Sequence, residues 1–266
     1  MGYDACNIGV NDSAAGIRFL AQIDNIPWVS IHFFDSEDVE IFPTYVLKSI
    51  AGMTVAITGV TAQPDNIENG IYYKNWQQRL PPLVAELKKQ ADFVIVLSAL
   101  TPKDNEEIAR RFPAVRLVLT AGNDNSYRQI TQVNKALLAQ TANRGQYLGH
   151  LRIFDPHHSR WLSDREKDLA QLQRALDDID SKIKIIEGTG SLDQSQNKLL
   201  SRLHKRKSKL VEQLQRQRTA TRAIADEKAG GYTMENIPLT TAIEEHKEIE
   251  GLIKQLKSEQ DQLHRQ

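Results

Sequence analysis

Two continuous apolar runs, Phe93–Leu97 and Val115–Leu119, stand on either side of a helical stretch that opens at Thr101-Pro102. Runs this short and this apolar suit central strands of a sheet covered on both faces, so the local unit reads strand, helix, strand. Thr101 is placed to cap the helix, and the acids of Pro102-Lys-Asp-Asn-Glu-Glu fall in its first turns, where the helix dipole favours them. The same alternation runs to about residue 155. Ala5–Ile8 and Trp28–Phe33 are expected strands, with a helix over Ala14–Gln22 between them. Thr44–Ile50 and Thr54–Val60 form an expected hairpin about Ala51-Gly52-Met53. Leu80-Pro81-Pro82 should start or interrupt a helix reaching Gln90, because proline is tolerated in a first turn and not in an interior. Ala136–Gln140 and Tyr147–Phe154 complete the strand pattern.

After Asp155-Pro156 the character changes. Aromatics nearly vanish, and Leu169, Leu172, Leu176, Ile179, Ile183 and Ile186 recur in steps of three and four, the seam of a coiled coil. Ser163-Asp-Arg-Glu166 supplies a capping box and Gly188-Thr-Gly190 a stop. A second helix is expected from about Leu192 to Lys228, with Leu199, Leu203, Leu210, Leu214 and Ile224 inward and Lys207, Gln217 and Thr221 weakening its seam. Folding about Gly188–Gly190 brings Asp177, Asp178 and Asp180 opposite Arg202, Lys205 and Arg206, which favours an antiparallel hairpin. Gly230-Gly231 ends it. A third helix is expected after Pro238, with Thr241-Ala-Ile-Glu244 as capping box and Ile249, Leu252, Leu256 and Leu263 as its apolar stripe.

Charge excludes some functions. The 266 residues carry 34 basic and 34 acidic side chains, so no global field favours nucleic acid or an anionic membrane. Arg202-Leu-His-Lys-Arg-Lys-Ser-Lys209 is the strongest basic run, but it lacks aromatics for base stacking and faces the acids of the preceding helix. No segment is apolar enough to span a membrane. The start, Met-Gly-Tyr-Asp, is not a signal peptide, and Cys6 stands where a myristoylation motif needs Ser or Thr. Cys6 is the single cysteine, which excludes an internal disulfide, a cysteine-based zinc site and a c-type haem attachment motif.

Four segments carry a more specific signal. They are Gly9-Val-Asn-Asp12, followed by Gly16 and Phe19-Leu20; Asp92-Phe-Val-Ile-Val-Leu-Ser-Ala99; Val115-Arg-Leu-Val-Leu-Thr-Ala-Gly-Asn-Asp-Asn125; and Asn143-Arg-Gly-Gln-Tyr-Leu-Gly149. In order and spacing they resemble the later motifs of calcineurin-like metallophosphoesterases, most closely the 5′-nucleotidase branch. There the corresponding motifs read Gly-Asn-His-Glu, Leu-Ser-His, Gly-His-x-His and a closing strand pair with Tyr-Leu-Gly. The resemblance covers roughly residues 1–154 and the latter part of the family's catalytic domain. It implies an α/β fold, a partial metallophosphoesterase-type β-sandwich flanked by helices, here followed by an all-α antiparallel hairpin and coiled-coil extension. The expected division is a truncated nucleotidase-like domain over 1–155, a linker over 156–162, the hairpin over 163–229, a linker over 230–238 and a final helix over 239–266.

The resemblance also implies a divalent metal (Mn, Mg or Zn) held largely by histidines, and those histidines are replaced. Val10 and Asn11 stand for Asn-His, Ala99 for the His after Leu-Ser, and Asn123 and Asn125 for the last pair. Valine and alanine offer no donor, and asparagine binds transition metals far more weakly than imidazole. No catalytic residue and no metal ligand is therefore assigned. Asn11, Asp12, Asn123, Asp124 and Asn125 would converge at the carboxyl ends of neighbouring strands, where they form either a residual phosphate or cation pocket or ordinary strand-end turns. The family's Asp-x-His and Gly-Asp-x-x-Asp motifs have no counterpart after Met1. Met1 is then either an internal start in a longer reading frame or the head of a domain that has shed its first half.

The expected role is a catalytically degenerate module with a structural or interaction function, binding a protein partner or itself through residues 163–266. The alternative is an active phosphohydrolase of nucleotides or phosphate esters completed by an N-terminal half. By resemblance the location is the periplasm or cell envelope, and the cytoplasm if Met1 is the true start. Analogy with bacterial nucleotidase-like proteins joined to multihaem cytochromes suggests a redox module as associate. His157-His158 point to opposite sides of an extended segment and read as a solvated linker, and His32 reads as a satisfied strand histidine. Local motifs suggest neither a Ser-His-Asp arrangement nor a phosphate-binding glycine loop.

Overall fold

The two apolar runs become adjacent parallel strands, Ile95 opposite Leu117 and Val96 opposite Val118. In the computed structural model, which describes residues 2–121, 130–141, 146–158, 160–163, 166–188, 193–225, 229–240 and 247–263, they lie at the centre of a six-stranded sheet. In chain order the elements are β1 (Cys6–Asn7), α1 (Ile17–Ala21), β2 (Trp28–Val29), β3 (Phe33–Phe34), β4 (Tyr45–Ile50), β5 (Met53–Thr61), β6 (Tyr72–Tyr73), α2 (Trp76–Leu87), β7 (Phe93–Ala99) and α3 (Pro102–Arg111). There follow β8 (Val115–Thr120), β9 (Thr131–Val133), β10 (Ala136–Gln140), β11 (Tyr147–Phe154), β12 (Trp161–Ser163), α4 (Glu166–Glu187), α5 (Gln194–Ala225), β13 (Gly230–Pro238) and α6 (Lys247–Leu263).

The large sheet has the order β4-β5-β7-β8-β10-β9, parallel from β5 to β10 with an antiparallel strand at each edge. Its side chains sort by the period of two that a pleated strand imposes. Ala56, Val60, Val94, Val96, Val118 and Leu138 pack under α2 and α3 against Leu80, Leu87 and Ile108. Their neighbours Val55, Ile57, Phe93, Leu117 and Leu137 face the other way, toward Trp161, Leu151 and Ile153 of a small sheet ordered β11-β13-β12. The result is a helix layer, a six-stranded layer and a three-stranded layer, the mixed α/β sandwich expected from the sequence.

Several expectations need correction. Residues 230–238 are not a linker but β13, antiparallel to β11 from Tyr147↔Pro238 to Phe154↔Gly231 and parallel to β12 at Trp161↔Gly230. Gly230-Gly231 breaks the helix and then admits close packing: a Cβ on Gly230 would lie 2.7 Å from the Trp161 ring and 2.8 Å from the Asp155 carbonyl. The expected linker over 156–162 likewise ends inside β12. The expected helix over Ala14–Gln22 is a 3-10 turn over Asp12–Ala15 followed by α1, because Gly16 interrupts it at a φ of 94°. Trp28–Phe33 is two short strands with different partners, β2 beside β1 and β3 beside β6. α2 begins at Trp76, capped by Asn75, and carries Pro81 and Pro82 inside it. The two missing N–H groups leave the Gln77 and Gln78 carbonyls without helical partners, but both residues face water, and burial of Trp76, Leu80, Leu83 and Leu87 holds the helix in place.

The hairpin of β4 and β5 forms as expected, with Ala51 at φ 50° and Gly52 at φ 81° making a two-residue connection. α4 and α5 run antiparallel: Lys207 meets Asp180 at 2.8 Å, His204 faces Glu187 at 3.7 Å, and Arg218 donates to Gln173 at 3.3 Å. Ile179, Ile183 and Leu214 are buried between them, whereas Leu199 is exposed beyond the end of α4. Of the expected acid–base contacts only Asp180 is used, and its partner is Lys207; Asp178 pairs with Lys182 on its own helix. The capping boxes at 163–166 and 241–244 fall wholly or partly outside the described residues. No helix among the described residues is long and apolar enough to cross a membrane.

Candidate functional site

β1 lies across the carboxyl ends of β5 and β7, the place where an open α/β sheet presents a ligand site. The approach is close. A Cβ on Gly59 would sit 2.3 Å from both the Asn7 Oδ1 atom and the Val29 carbonyl, so only glycine lets β1 and β2 pass over β5. Asn7 then donates to the Val60 carbonyl at 2.9 Å and to Thr61 Oγ1 at 3.0 Å, and Thr61 Oγ1 donates in turn to the Ile8 carbonyl. Thr61 pairs in register with Ala99 at the end of β7. The segment carrying Val10, Asn11 and Asp12 and the segment carrying Ala99 therefore come to the same end of the sheet.

Their side chains do not make a binding constellation there. The Asp12 carboxylate accepts the Gly9 N–H at 2.7 Å, closing its own turn, and Ser13 Oγ donates to the Val10 carbonyl at 2.6 Å. Asn11 opens the 3-10 turn with no side-chain capping bond, and Asn11 and Asp12 are both exposed. Gly16 is required for its positive φ and because a Cβ would meet Glu68 Oε2 at 2.9 Å, the carboxylate that accepts from the Arg18 N–H. Below Ala99, Ser98 donates to Asn105 Oδ1 at 2.5 Å while Leu100 N–H donates to Ser98 Oγ. Asn123, Asp124 and Asn125 lie outside the described residues, although β8, which leads to them, ends at Thr120 opposite Ser98. Among the described residues no three His, Cys, Asp or Glu side chains are grouped to hold a metal ion. Among the described residues, Val10 and Ala99 contribute no donor, and Asp12 Oδ2 accepts a backbone N–H.

His32 is buried beside these strand ends, and its ring is fully used. Thr61 N–H donates to Nε2 at 2.8 Å, which leaves the proton on Nδ1 to donate to the Lys74 carbonyl at 2.7 Å. The ring stacks on Tyr73 at 4.8 Å, and the Tyr73 hydroxyl donates to the Thr61 carbonyl at 2.7 Å. Burial pulls the His32 pKa down to about 4, outweighing the Lys74 bond that raises it, with the Arg79 charge lowering it further. Burial likewise pushes Tyr73 up to about 12, helped by the Asp104 charge. A neutral, doubly bonded imidazole is a structural pin between β3, β5 and β6, as its sequence position suggested. His157 lines the mouth of a cleft of about 970 Å³ between the two sheets, walled mainly by aliphatic side chains such as Ile95, Leu117 and Leu151. Beside it the His158 carbonyl accepts from Arg116, whose guanidinium also lies 4.9 Å over Trp161.

Sequence reasoning did not single out Asn7, Thr61 or Arg116. For Asn7 a signal existed in Gly59, since a glycine inside a strand pattern marks close backbone approach.

No protein-family model matches the chain. A Bacillus subtilis protein described as the uncharacterized metallophosphoesterase YunD is 29% identical over 112 residues, 41% of this chain and 24% of that protein. Among solved structures, the Thermus thermophilus sulfate thiohydrolase SoxB superposes with a TM-score of 0.51 at 17% identity, over 57% of this chain and 30% of the other. The Haemophilus influenzae NAD nucleotidase superposes with a TM-score of 0.50 at 15% identity, over 59% and 37%. At such identities the two structures speak to fold alone, and this chain spans between 24% and 37% of the length of these relatives.

Proposed function

We propose, for a chain that carries part of a domain of the calcineurin-like metallophosphoesterase superfamily, a structural or interaction role in place of phosphoester hydrolysis. The observation that carries this reading is the state of the strand ends. Metal-assisted hydrolysis needs ligands that hold a cation and lower the pKa of a bound water. Here Val10 and Ala99 have no donor atoms, and the Asp12 carboxylate accepts the Gly9 N–H. The polar atoms that do converge, from Asn7 and Thr61, bond to one another and to backbone. On this reading Asn11, Asp12, Asn123, Asp124 and Asn125 are turn residues of a framework, and residues 163–229 and 239–266 are the parts that meet partners. A cell-envelope location and a redox-module associate extend the reading by family analogy.

Metal analysis and a hydrolysis assay test it together. After incubation with Mn²⁺ and gel filtration, the chain should retain no stoichiometric metal and should not hydrolyse nucleoside monophosphates or a nitrophenyl phosphodiester above the buffer rate. Stoichiometric metal with turnover abolished by chelation would overturn the reading and favour an active phosphohydrolase whose remaining ligands come from another segment.

A further inference from the structure

Helix α6 presents an apolar stripe to solvent. Ile249 is 41% exposed, Leu252 57%, Ile253 46% and Leu256 58%, a spacing that puts all four on one side of the helix. The stripe is wider than the sequence indicated, since Ile253 belongs to it. On the opposite side stand Gly251, where a Cβ would point into open space, and Lys254, which pairs with Glu250 one turn back. A helix of this length gains most of its stability from packing, so a 17-residue helix with four bare aliphatic side chains is incomplete as it stands.

The charges flanking the stripe say what completes it. With Ile249 and Leu256 at d and Ile253 at a, Gly251 falls at the outermost position, Leu252 flanks the seam at g, and Glu250 and Lys257 occupy successive e positions. Antiparallel pairing of two identical helices sets e against e, so Glu250 of each copy meets Lys257 of the other, twice by symmetry. In a parallel pair e lies against g, which would leave Lys257 beside Leu252 and keep the two opposite charges apart. We propose that α6 is a self-pairing helix and that its partner is the α6 of a second copy of this chain, running antiparallel. The proposal deepens the reading of the helical segments as interaction elements, and its readout is separate from metal content and hydrolysis.

The test uses the full chain with Cys6→Ser. Sedimentation over rising concentration should show a monomer–dimer equilibrium, and Ile253→Lys with Leu256→Lys should give a monomer whose urea midpoint is unchanged and whose helical circular dichroism falls by no more than the 17 residues of α6. Ile253→Cys lies near the two-fold axis and should cross-link copies on oxidation, whereas Ile249→Cys should not. Lys257→Glu should raise the dimer dissociation constant roughly two- to fivefold, the effect of losing exposed ion pairs, and Glu250→Lys added to it should restore binding. A monomer at all concentrations, a dimer that survives the double lysine variant, or equal cross-linking through Ile249→Cys and Ile253→Cys would each overturn the proposal.

Discussion

The large sheet and the α4–α5 hairpin are built from similar amounts of aliphatic sequence, yet they bury it differently. On the helix-covered face of the sheet almost every inward residue from β5 to β10 is fully covered, because each strand has neighbours on both sides and helices packed on it. In the hairpin the helices pack mainly on each other, with α5 also touching β12 and β13, so Ile179, Ile183 and Leu214 are buried while Leu199 and Ile185 remain in water. Burial that depends on many distant segments is cooperative, and burial between two sequence neighbours is local. The sheet should therefore carry the stability of the molecule and the hairpin should ride on it.

Equivalent truncations in the two regions give the sharpest test. Leu80→Ala, under the helix-covered face, should destabilise the chain by about 2–5 kcal/mol in urea unfolding. Leu214→Ala in the hairpin should cost about 2 kcal/mol or less, because two helices relax around a gap more easily than a closed sandwich does. Equal losses would dissolve the distinction. A second contrast is pH. His32 has its pKa lowered on folding, so the unfolded chain binds the extra proton first and stability must fall as pH drops from about 6.5 toward 4. Over that window the loss approaches about 3 kcal/mol, and His32→Gln should flatten it in a series of unfolding curves. Asn7→Ala leaves the Val60 carbonyl and Thr61 hydroxyl short of a partner and should cost about 1–3 kcal/mol, read as a lowered urea midpoint. The smallest effect should come from Lys182→Ala, whose exposed pair with Asp178 contributes less than about 1 kcal/mol, with no change in hairpin helicity by circular dichroism.

The same contrast governs what the sequence disclosed. Central strands were legible because Phe93–Leu97 and Val115–Leu119 are apolar on both faces, a pattern few other structures need. The hairpin was legible from its period, and its direction from its charges, but not its partners: Asp180 takes Lys207 because helix rotation, not sequence proximity, decides which side chains meet. β13 escaped notice since Tyr232, Met234 and Ile237 alternate weakly behind two glycines, and what makes them a strand is the free edge of β11 far upstream. At the candidate site, the replacements at Val10, Asn11 and Ala99 were plain. What replaced the missing chemistry, the bonds of Asn7 and Thr61 and the Asp12 turn, depends on β1 crossing β5, which only tertiary structure reveals.

The placement of β13 between β11 and β12 bears on where this chain can be cut. β12 and β13 run parallel with Trp161 opposite Gly230, so the whole helical excursion leaves and returns through ends about 8 Å apart, two residues along the strand and one strand across. A fragment stopping at Asp155 would retain β11 but lose both β13 and Trp161, baring an eight-residue strand edge above an uncovered aliphatic sheet. Such an edge recruits other chains. The apparent boundary at Asp155-Pro156 is thus a change of composition and not a seam, and cutting there would convert a covered layer into an aggregation template.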